Sequence, residues 1–272
     1  MAEILKAEDY EEACCPLDLH PETVRIPVRR VIERLDEYLS RNDTAAAERH
    51  LQYWLSEAEA GNDLQGKLTV LNEQIGLYRK LGRAPEGLAC IDAALALTQE
   101  LGLDGTVSMG TTLINAATAC KAFADAARAL PLYQKARALY EALLEPDDER
   151  LGGLYNNMAL TLLELGRFRE AETLLEKALD IMSRQPDAQA EMAITCLNLA
   201  DLAQAEFGRE AAAERIGAYL QRAEELLDTP ELPHDGHYAF VCEKCASVFG
   251  DYGWFLTQQE LALRAREIYE RA

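Results

Sequence analysis

The amino-acid sequence predicts an all-α fold, a right-handed α-α superhelix of about six antiparallel helix pairs. Three observations predict this fold: the apolar residues are mainly Ala and Leu, two side-chain markers recur with one period, and turn residues separate amphipathic segments. Of the 272 residues, 49% are hydrophobic and only 7% are aromatic. Ala and Leu favour helices, and runs of β-branched residues, which favour strands, are scarce. The length suits one large domain or two ordinary ones.

The recurring markers define a repeat with a period of about 42 residues. An alanine followed three positions later by Leu or Ile recurs at Ala94, Ala136, Ala178, Ala223 and Ala265. An asparagine recurs in the preceding amphipathic segment at Asn72, Asn115, Asn157 and Asn198. Two independent markers with the same spacing indicate one helix pair per period.

Glycine, proline and asparagine residues delimit the predicted elements. The six pairs, in chain order, are residues 24–60, 63–101, 106–145, 148–185, 187–228 and 235–272. Within the pairs, the turns are predicted at Asn42-Asp43, Gly82-Arg83, Ala124-Asp125, Gly166-Arg167, Gly208 and Gly253, where Gly and Asn tolerate left-handed backbone.

Proline residues refine these boundaries. Pro27 and Pro85 fit the first turn of a helix, whereas Pro131 predicts a late start or a bend. Residues 1–23 are predicted to be irregular or only partly ordered, and residues 24–272 are predicted to form a single solenoid domain.

The fourth pair carries a family pattern. It has an aromatic residue, an apolar-small dipeptide and then further apolar and small residues, at Tyr155, Met158-Ala159, Leu162, Ala171, Leu175 and Pro186. This segment resembles the tetratricopeptide repeat, in a form with a long period. The second, third and fifth pairs match well and the sixth less well, whereas the first matches only as two helices, since Trp54 falls where a small residue is expected.

Stacked helix pairs of this kind form a superhelix whose first helices line a concave wall. Such a wall suits an extended peptide or a helix of a partner protein. The candidate binding residues are the polar and basic residues predicted on that wall: Asn72, Arg79, Asn115, Lys121, Asn156, Asn157, Asn198 and Lys244.

Two interpretations of the asparagines remain open. A carboxamide both donates and accepts hydrogen bonds, so a row of them can hold a peptide backbone of any sequence. The resemblance favours this use, because asparagines in the first helices of such repeats often hold a bound peptide. Alternatively, the asparagines cap helices or bridge neighbouring helices. Lys121 and Lys244 are either carboxylate-binding or simply solvated.

Charge and targeting signals exclude several classes of partner. Acidic residues outnumber basic residues 47 to 27, for a net charge of −20, which disfavours nucleic acid and anionic membranes. The first residues do not resemble a secretory signal, and no apolar run is long enough to span a membrane. The odd number of cysteines, seven, argues against a disulfide framework and for a cytoplasmic location.

No enzyme motif or cofactor site is predicted. His234, His237, Cys242 and Cys245 have the residue types of a zinc site but not a familiar spacing, and both cysteines fall at core positions of the repeat. Neither this cluster nor the Cys14-Cys15 pair is expected to bind metal.

The expected function is therefore that of a non-enzymatic adaptor that binds protein or peptide segments. A peptide-sensing regulator that acts through a partner protein, and a self-assembling structural module, are the alternatives. A monomer is expected, with a dimer as the alternative state.

Overall fold

The computed structural model describes residues 23–230 and 232–271. These residues form twelve α-helices: α1 (Val28–Ser40), α2 (Thr44–Ala60), α3 (Leu64–Lys80), α4 (Ala84–Glu100), α5 (Val107–Ala122), α6 (Ala126–Leu143), α7 (Glu149–Glu164), α8 (Phe168–Met182), α9 (Gln189–Phe207), α10 (Ala213–Leu227), α11 (Gly236–Asp251) and α12 (Phe255–Arg271). No strand occurs in the described part of the chain, so the predicted all-α class is confirmed.

The helices pack as successive pairs, α1 with α2 through α11 with α12. Their contacts divide the chain into two compact units, one up to Leu143, called unit 1 here, and one from Leu144 onward, called unit 2. In each unit, second helices also pack on the first helix of the next pair, and first helices of neighbouring pairs lie side by side. This is the stacking of a solenoid. The single domain over residues 24–272 stays a prediction.

Each predicted turn within a pair has one residue in the left-handed region. These residues are Asn42, Gly82, Ala124, Gly166, Gly208 and Gly253, with φ between 54° and 84°. Five of the six are Gly or Asn, which accept this conformation at low cost. Ala124, with φ of 62°, is the exception, because its Cβ is strained there.

Side-chain caps fix several helix starts. Asp43, Thr106, Asp148 and Asp235 each accept a hydrogen bond from a backbone N–H of the first helical turn. Asp63 does so for α3, and its other carboxylate oxygen accepts a bond of 2.9 Å from the Ile26 N–H. The buried Asp63 carboxylate therefore also secures the segment that precedes α1.

Pro131 does not delay its helix. The late start that the sequence suggested is wrong, because α6 begins at Ala126 and Pro131 lies inside it. Asp125 stabilises this early start, since its carboxylate accepts a bond of 3.0 Å from the Arg128 N–H. Pro131 is exposed, so water can reach the backbone around the hydrogen bond that it omits.

The repeated alanines are buried on the second helices of the pairs. The five marker alanines, Ala94 to Ala265, are between 0% and 3% exposed. On the second helices, ion pairs connect neighbouring repeats in both units: Arg128 to Asp92 at 2.5 Å in unit 1, and Arg215 to Glu172 in unit 2. Partly exposed pairs of this kind contribute about 1 kcal/mol or less each to stability.

Candidate functional site

The candidate site lies on the first helices of neighbouring pairs, and the surface that they share within one unit is called the inner face here. In unit 1 it is carried by α3 and α5, which pack side by side. In unit 2 it is carried by α7, α9 and α11, and α9 packs on both of its neighbours. The polar residues predicted from the repeat spacing fall on these helices.

Two asparagine pairs connect neighbouring first helices in the same way. In unit 1 the Asn115 side-chain Nδ2 donates to Asn72 Oδ1 at 2.9 Å. In unit 2 the Asn198 Nδ2 donates to Asn156 Oδ1, also at 2.9 Å. Four of the predicted asparagines are thus brought together as two bridges. This is the bridging role that the sequence left open, and it does not test whether the same amides bind a ligand.

The two members of each bridge differ in the hydrogen-bonding capacity that they retain. Asn72 is buried, and its Nδ2 donates both to the Leu68 carbonyl oxygen at 3.0 Å and to Thr112 Oγ1 at 3.2 Å. Asn115 and Asn156 are only half-buried. Within the described residues, nothing donates to Asn115 Oδ1 and nothing accepts from Asn156 Nδ2. These two groups could bond to a peptide backbone.

Asn157 lies beside the bridge of unit 2 and does not take part in it. The repeat spacing placed Asn157 in one row with Asn72, Asn115 and Asn198, yet Asn198 pairs with Asn156 instead. The Asn157 side chain is half-buried and has no hydrogen bond within the part of the chain that is described. Of the five predicted asparagines, Asn157 therefore has the side-chain amide with the fewest hydrogen bonds to described residues.

The predicted basic residues are spread over both units. Arg79 is half-buried in the last turn of α3, and burial lowers the pKa of its guanidinium. Lys121 is half-buried in the last turn of α5, and Lys244 is exposed on α11. Arg79 and Lys121 belong to unit 1, whereas Lys244 belongs to unit 2.

Unit 2 has an acidic residue on its inner face, Asp201, that was not among the candidate binding residues predicted from the sequence. The Asp201 carboxylate is half-buried, three residues after Asn198, and accepts a bond of 2.8 Å from the Tyr252 hydroxyl. Burial raises the pKa of Asp201, and the nearby Asp251 carboxylate adds to the shift. Its place one helical turn after an asparagine was the signal available in the sequence. The guanidinium of Arg209 lies 5.4 Å from the centre of the Tyr252 ring.

The two histidines and two cysteines in and just before α11 are not gathered at one site. Cys242 and Cys245 are buried in the core of unit 2, and burial raises the pKa of both thiols, that of Cys245 to about 12. His237 bonds to a Glu191 carboxylate oxygen at 2.6 Å, and the His234 ring stacks on Tyr238 at 4.6 Å. Thiols held in the protonated form are poor nucleophiles and poor metal ligands.

The expectations on metal binding and on membrane spanning can be compared with the structure only for the described residues. The Cys14-Cys15 pair belongs to the first 22 residues, which are outside them. Within the described part of the chain, no group of three or more His, Cys, Asp or Glu side chains is placed to hold a metal ion. None of the described helices is both long enough and apolar enough to cross a membrane.

The sequence matches the profile of the tetratricopeptide repeat over residues 67–142 and 150–227, more than half of the chain. No curated protein matches the chain by sequence.

Solved structures share the fold at low sequence identity. A putative kinesin light chain with TPR-like repeats from Podosopora anserina has a TM-score of 0.55 at 16% identity, over 75% of this chain and 96% of that one. NprR in complex with its cognate peptide NprX has a TM-score of 0.58 at 16% identity, over 88% of this chain and 66% of that one. The apo form of RapI has a TM-score of 0.55 at 13% identity, over 91% of this chain and 100% of that one.

Proposed function

This chain belongs to the tetratricopeptide repeat family, and from that premise we propose that it is a non-enzymatic adaptor whose inner faces bind peptide or protein segments. The residues proposed for contact are Asn115, Asn156, Asn157, Arg79, Lys121 and Lys244, with Asn72 and Asn198 as the supports that orient them. One observation supports this proposal above the others. Amide groups at Asn115, Asn156 and Asn157 lie along the first helices with hydrogen-bonding capacity that no described residue uses.

The chemistry of these groups fits a polypeptide ligand. Each carboxamide can donate to a peptide carbonyl and accept from a peptide N–H, so it holds backbone without regard to side chains. A solved structure with a similar fold, that of NprR, contains a bound peptide. Several such contacts along one face would favour an extended segment over a small molecule.

A peptide selection tests this proposal directly. Random twelve-residue peptides with amidated C-termini are presented to the full chain, to Asn157→Ala and to Gln134→Ala. Asn157→Ala removes an amide without a described partner, and Gln134→Ala is the matched control because Gln134 is exposed on the second helix α6. We expect the wild type and the control to select the same peptides, and Asn157→Ala to lose most of them.

Two results would contradict the proposal. One is that the wild type selects no peptides from the pool. The other is that Asn157→Ala and Asn115→Ala, both still folded, each keep the whole selected set, which would place binding away from the inner faces of both units.

A peptide-sensing regulator is the second candidate function, favoured by the peptide bound in the NprR structure. It differs from a constitutive adaptor in that the ligand would change the affinity for a partner protein. If the selected peptide does not change the affinity of the chain for any protein that binds it in a cell extract, the regulator is contradicted and the adaptor stands.

The structural-module alternative is favoured by the surface of α12. Phe255, Leu256, Leu263 and Tyr269 are exposed there, Leu256 to 85%. We keep the monomer as the proposed state, and light scattering on the full chain tests it. A stable dimer that the double substitution Leu256→Glu/Leu263→Glu dissociates would favour self-assembly instead.

We further propose a cytoplasmic location and the absence of catalysis. The five described cysteines are all free thiols, as expected in a reducing compartment. Cell fractionation tests the location, and a disulfide-bonded form isolated from cells would contradict it.

A further inference from the structure

Two leucines on α12 are exposed at positions where the repeat has polar residues. Leu256 is 85% exposed and Leu263 is 45% exposed, and their spacing of seven residues places them on one side of the helix. Counted from the marker alanine, the same two positions in the earlier second helices of unit 2 are polar and exposed: Glu214 and Gln221 in α10, and Arg169 and Glu176 in α8. The helix pair therefore does not need an apolar residue at either position.

An acidic pocket lies beside these leucines, between α12 and the end of α10. Its empty volume is about 190 Å³. Its charged lining residues are Glu224, Asp228, Glu260 and Arg264. Glu260 follows Leu256 by four residues and precedes Leu263 by three, so on the surface of α12 it connects the pocket to the leucines. Three carboxylates thus share the pocket with one guanidinium.

The single guanidinium leaves hydrogen-bonding capacity on the carboxylates. Arg264 contacts one oxygen of Asp228 at 2.7 Å and one oxygen of Glu260 at 2.5 Å. The Thr257 hydroxyl donates to one oxygen of Glu224 at 2.6 Å. The second oxygen of each carboxylate has no hydrogen bond to a described residue. A second cation would therefore find three acceptors in this pocket.

The end of α10 favours a cation for a further reason. The C-terminus of a helix carries a partial negative charge, which basic residues normally offset. The last turn of α10 has no basic residue and contains Glu224 and Glu225, with Asp228 as the C-cap. Arg264 of α12 reaches this helix end and bonds to the Leu227 carbonyl oxygen at 3.4 Å. The pocket still keeps an excess of two negative charges.

We propose that Leu256, Leu263 and the acidic pocket form one docking surface, called the outer patch here, for a basic amphipathic helix of a partner protein. Seven residues of a helix span about 10 Å, so apolar side chains on one face of the partner helix cover both leucines. A Lys or Arg beside that face enters the pocket and bonds to the unused carboxylate oxygens. The outer patch belongs to second helices, so this interaction is separate from the proposed binding at the inner faces.

The charge of unit 2 favours this occupant over a second copy of the chain. Residues 144–272 contain 25 acidic and 12 basic residues. Two copies that met through the outer patch would bring their acidic pockets together, which is unfavourable, and an anionic membrane would be repelled in the same way. A basic partner helix is instead attracted as it approaches and paired once it is bound.

Three synthetic peptides test this proposal on the full chain. Each is an eighteen-residue helix with an alanine background. The Leu/Lys peptide has leucines on one face and lysines beside them, the Leu/Glu peptide has glutamates in place of the lysines, and the Ser/Lys peptide has serines in place of the leucines. At physiological salt, we expect the Leu/Lys peptide to bind the wild type about tenfold more tightly than either of the others, because it alone satisfies both parts of the outer patch.

Two double substitutions remove the two parts of the outer patch separately. Leu256→Ser/Leu263→Ser removes exposed apolar groups, so its thermal melt should not change. Glu224→Gln/Glu260→Gln removes two charges, and an amide oxygen at position 224 still accepts the bond from Thr257. We expect each variant to bind the Leu/Lys peptide about tenfold more weakly. The first should lose the preference for leucine over serine, and the second most of the preference for lysine over glutamate.

Matched controls remove the same groups elsewhere on the chain. Leu143→Ser/Leu165→Ser removes two exposed leucines, and Glu145→Gln/Glu176→Gln removes two exposed charges from unit 2. Both controls should bind the Leu/Lys peptide within about twofold of the wild type. Asn157→Ala should also leave this binding unchanged, because Asn157 lies on the inner face.

Four results would overturn the outer patch. The first is that the wild type binds the Leu/Lys peptide no better than the other two peptides. The second is an equal loss in the patch variants and their controls, and the third is a loss in Asn157→Ala, which would place the peptide on the inner face. The fourth is a dimer of the full chain, measured by light scattering, that Leu256→Ser/Leu263→Ser dissociates, since a second copy would then occupy the surface. None of these results decides whether the inner faces bind random peptides, so the two proposals fail separately.

Discussion

The two units share an asparagine bridge between neighbouring first helices, but they differ in the charged residue on the same inner face. Each has an asparagine bridge of 2.9 Å in which the later helix donates to the earlier one. Further along the inner face, unit 1 has the half-buried guanidinium of Arg79, and unit 2 has the half-buried carboxylate of Asp201. Asp201 has a partner in the Tyr252 hydroxyl, whereas Arg79 has none among the described residues. The bridges thus belong to the repeat, and the charges beside them distinguish its copies.

The two units differ in how tightly they pack around two equivalent glycines, Gly110 on α5 and Gly152 on α7. A Cβ atom at Gly110 would lie 2.4 Å from the Tyr140 ring, whereas one at Gly152 would lie 3.3 Å from the end of the Met182 side chain. We expect Gly110→Ala to cost about 1–3 kcal/mol, because the buried ring cannot move easily. Gly152→Ala should change stability by less than about 1 kcal/mol, because the methionine can shift. Urea denaturation of both variants measures the difference, and equal losses would contradict it.

The asparagine bridges are expected to differ in strength. Asn72→Ala removes three hydrogen bonds from a buried site, and we expect it to destabilise unit 1 by about 2 kcal/mol. Asn156→Ala removes one bond from a half-buried site and should cost about 1 kcal/mol or less. Thermal melts compare them, with Asn157→Ala as the control that removes no described bond. A larger loss of thermal stability for Asn156→Ala than for Asn72→Ala would contradict the prediction that the buried Asn72 contributes more than the half-buried Asn156.

The turns within the pairs allow two opposite substitutions to be compared, one in each unit. Ala124 of unit 1 and Gly166 of unit 2 have similar left-handed backbones, with φ of 62° and 71°. Ala124→Gly should stabilise the protein by about 1 kcal/mol, and Gly166→Ala should destabilise it by about the same amount. Calorimetric melting temperatures should therefore move in opposite directions. Two shifts of the same sign would show that turn strain does not control stability at these sites.

The smallest expected effect is the pH dependence of Asp201. Its pKa is raised in the folded state, mainly by burial, so its ionisation opposes folding as the pH rises through that value. Asp201→Asn should therefore stabilise the protein at neutral pH, by less than about 1 kcal/mol. The gain should shrink as the pH falls through the pKa of Asp201, where the wild-type carboxyl becomes neutral. Urea denaturation between neutral pH and the acid range checks this, and a gain that grows on acidification would contradict the sign.

The sequence predicted the regular features of the fold because they depend on local chemistry. Gly and Asn marked five of the six left-handed turns within the pairs, and the alanine marker located buried positions on the second helices. The partners within the inner faces were not predictable in the same way. A shift of one residue turns a helix by 100°, so the repeat spacing could not tell that Asn198 pairs with Asn156 and not with Asn157.

The partial burial of Arg79 could not be predicted from the sequence either. Arg79 and Lys80 are adjacent basic residues, and only the packing of α3 shows that one is half-buried and the other exposed.

The central claim is that the inner face holds peptide backbone through amides that the fold leaves unused. Isothermal titration calorimetry with one selected peptide on the wild type, Asn157→Ala and Gln134→Ala tests it most directly. We predict that Asn157→Ala weakens binding by about tenfold, and that Gln134→Ala leaves it unchanged. Equal affinities for all three proteins would contradict the claim and place the binding surface elsewhere on the chain.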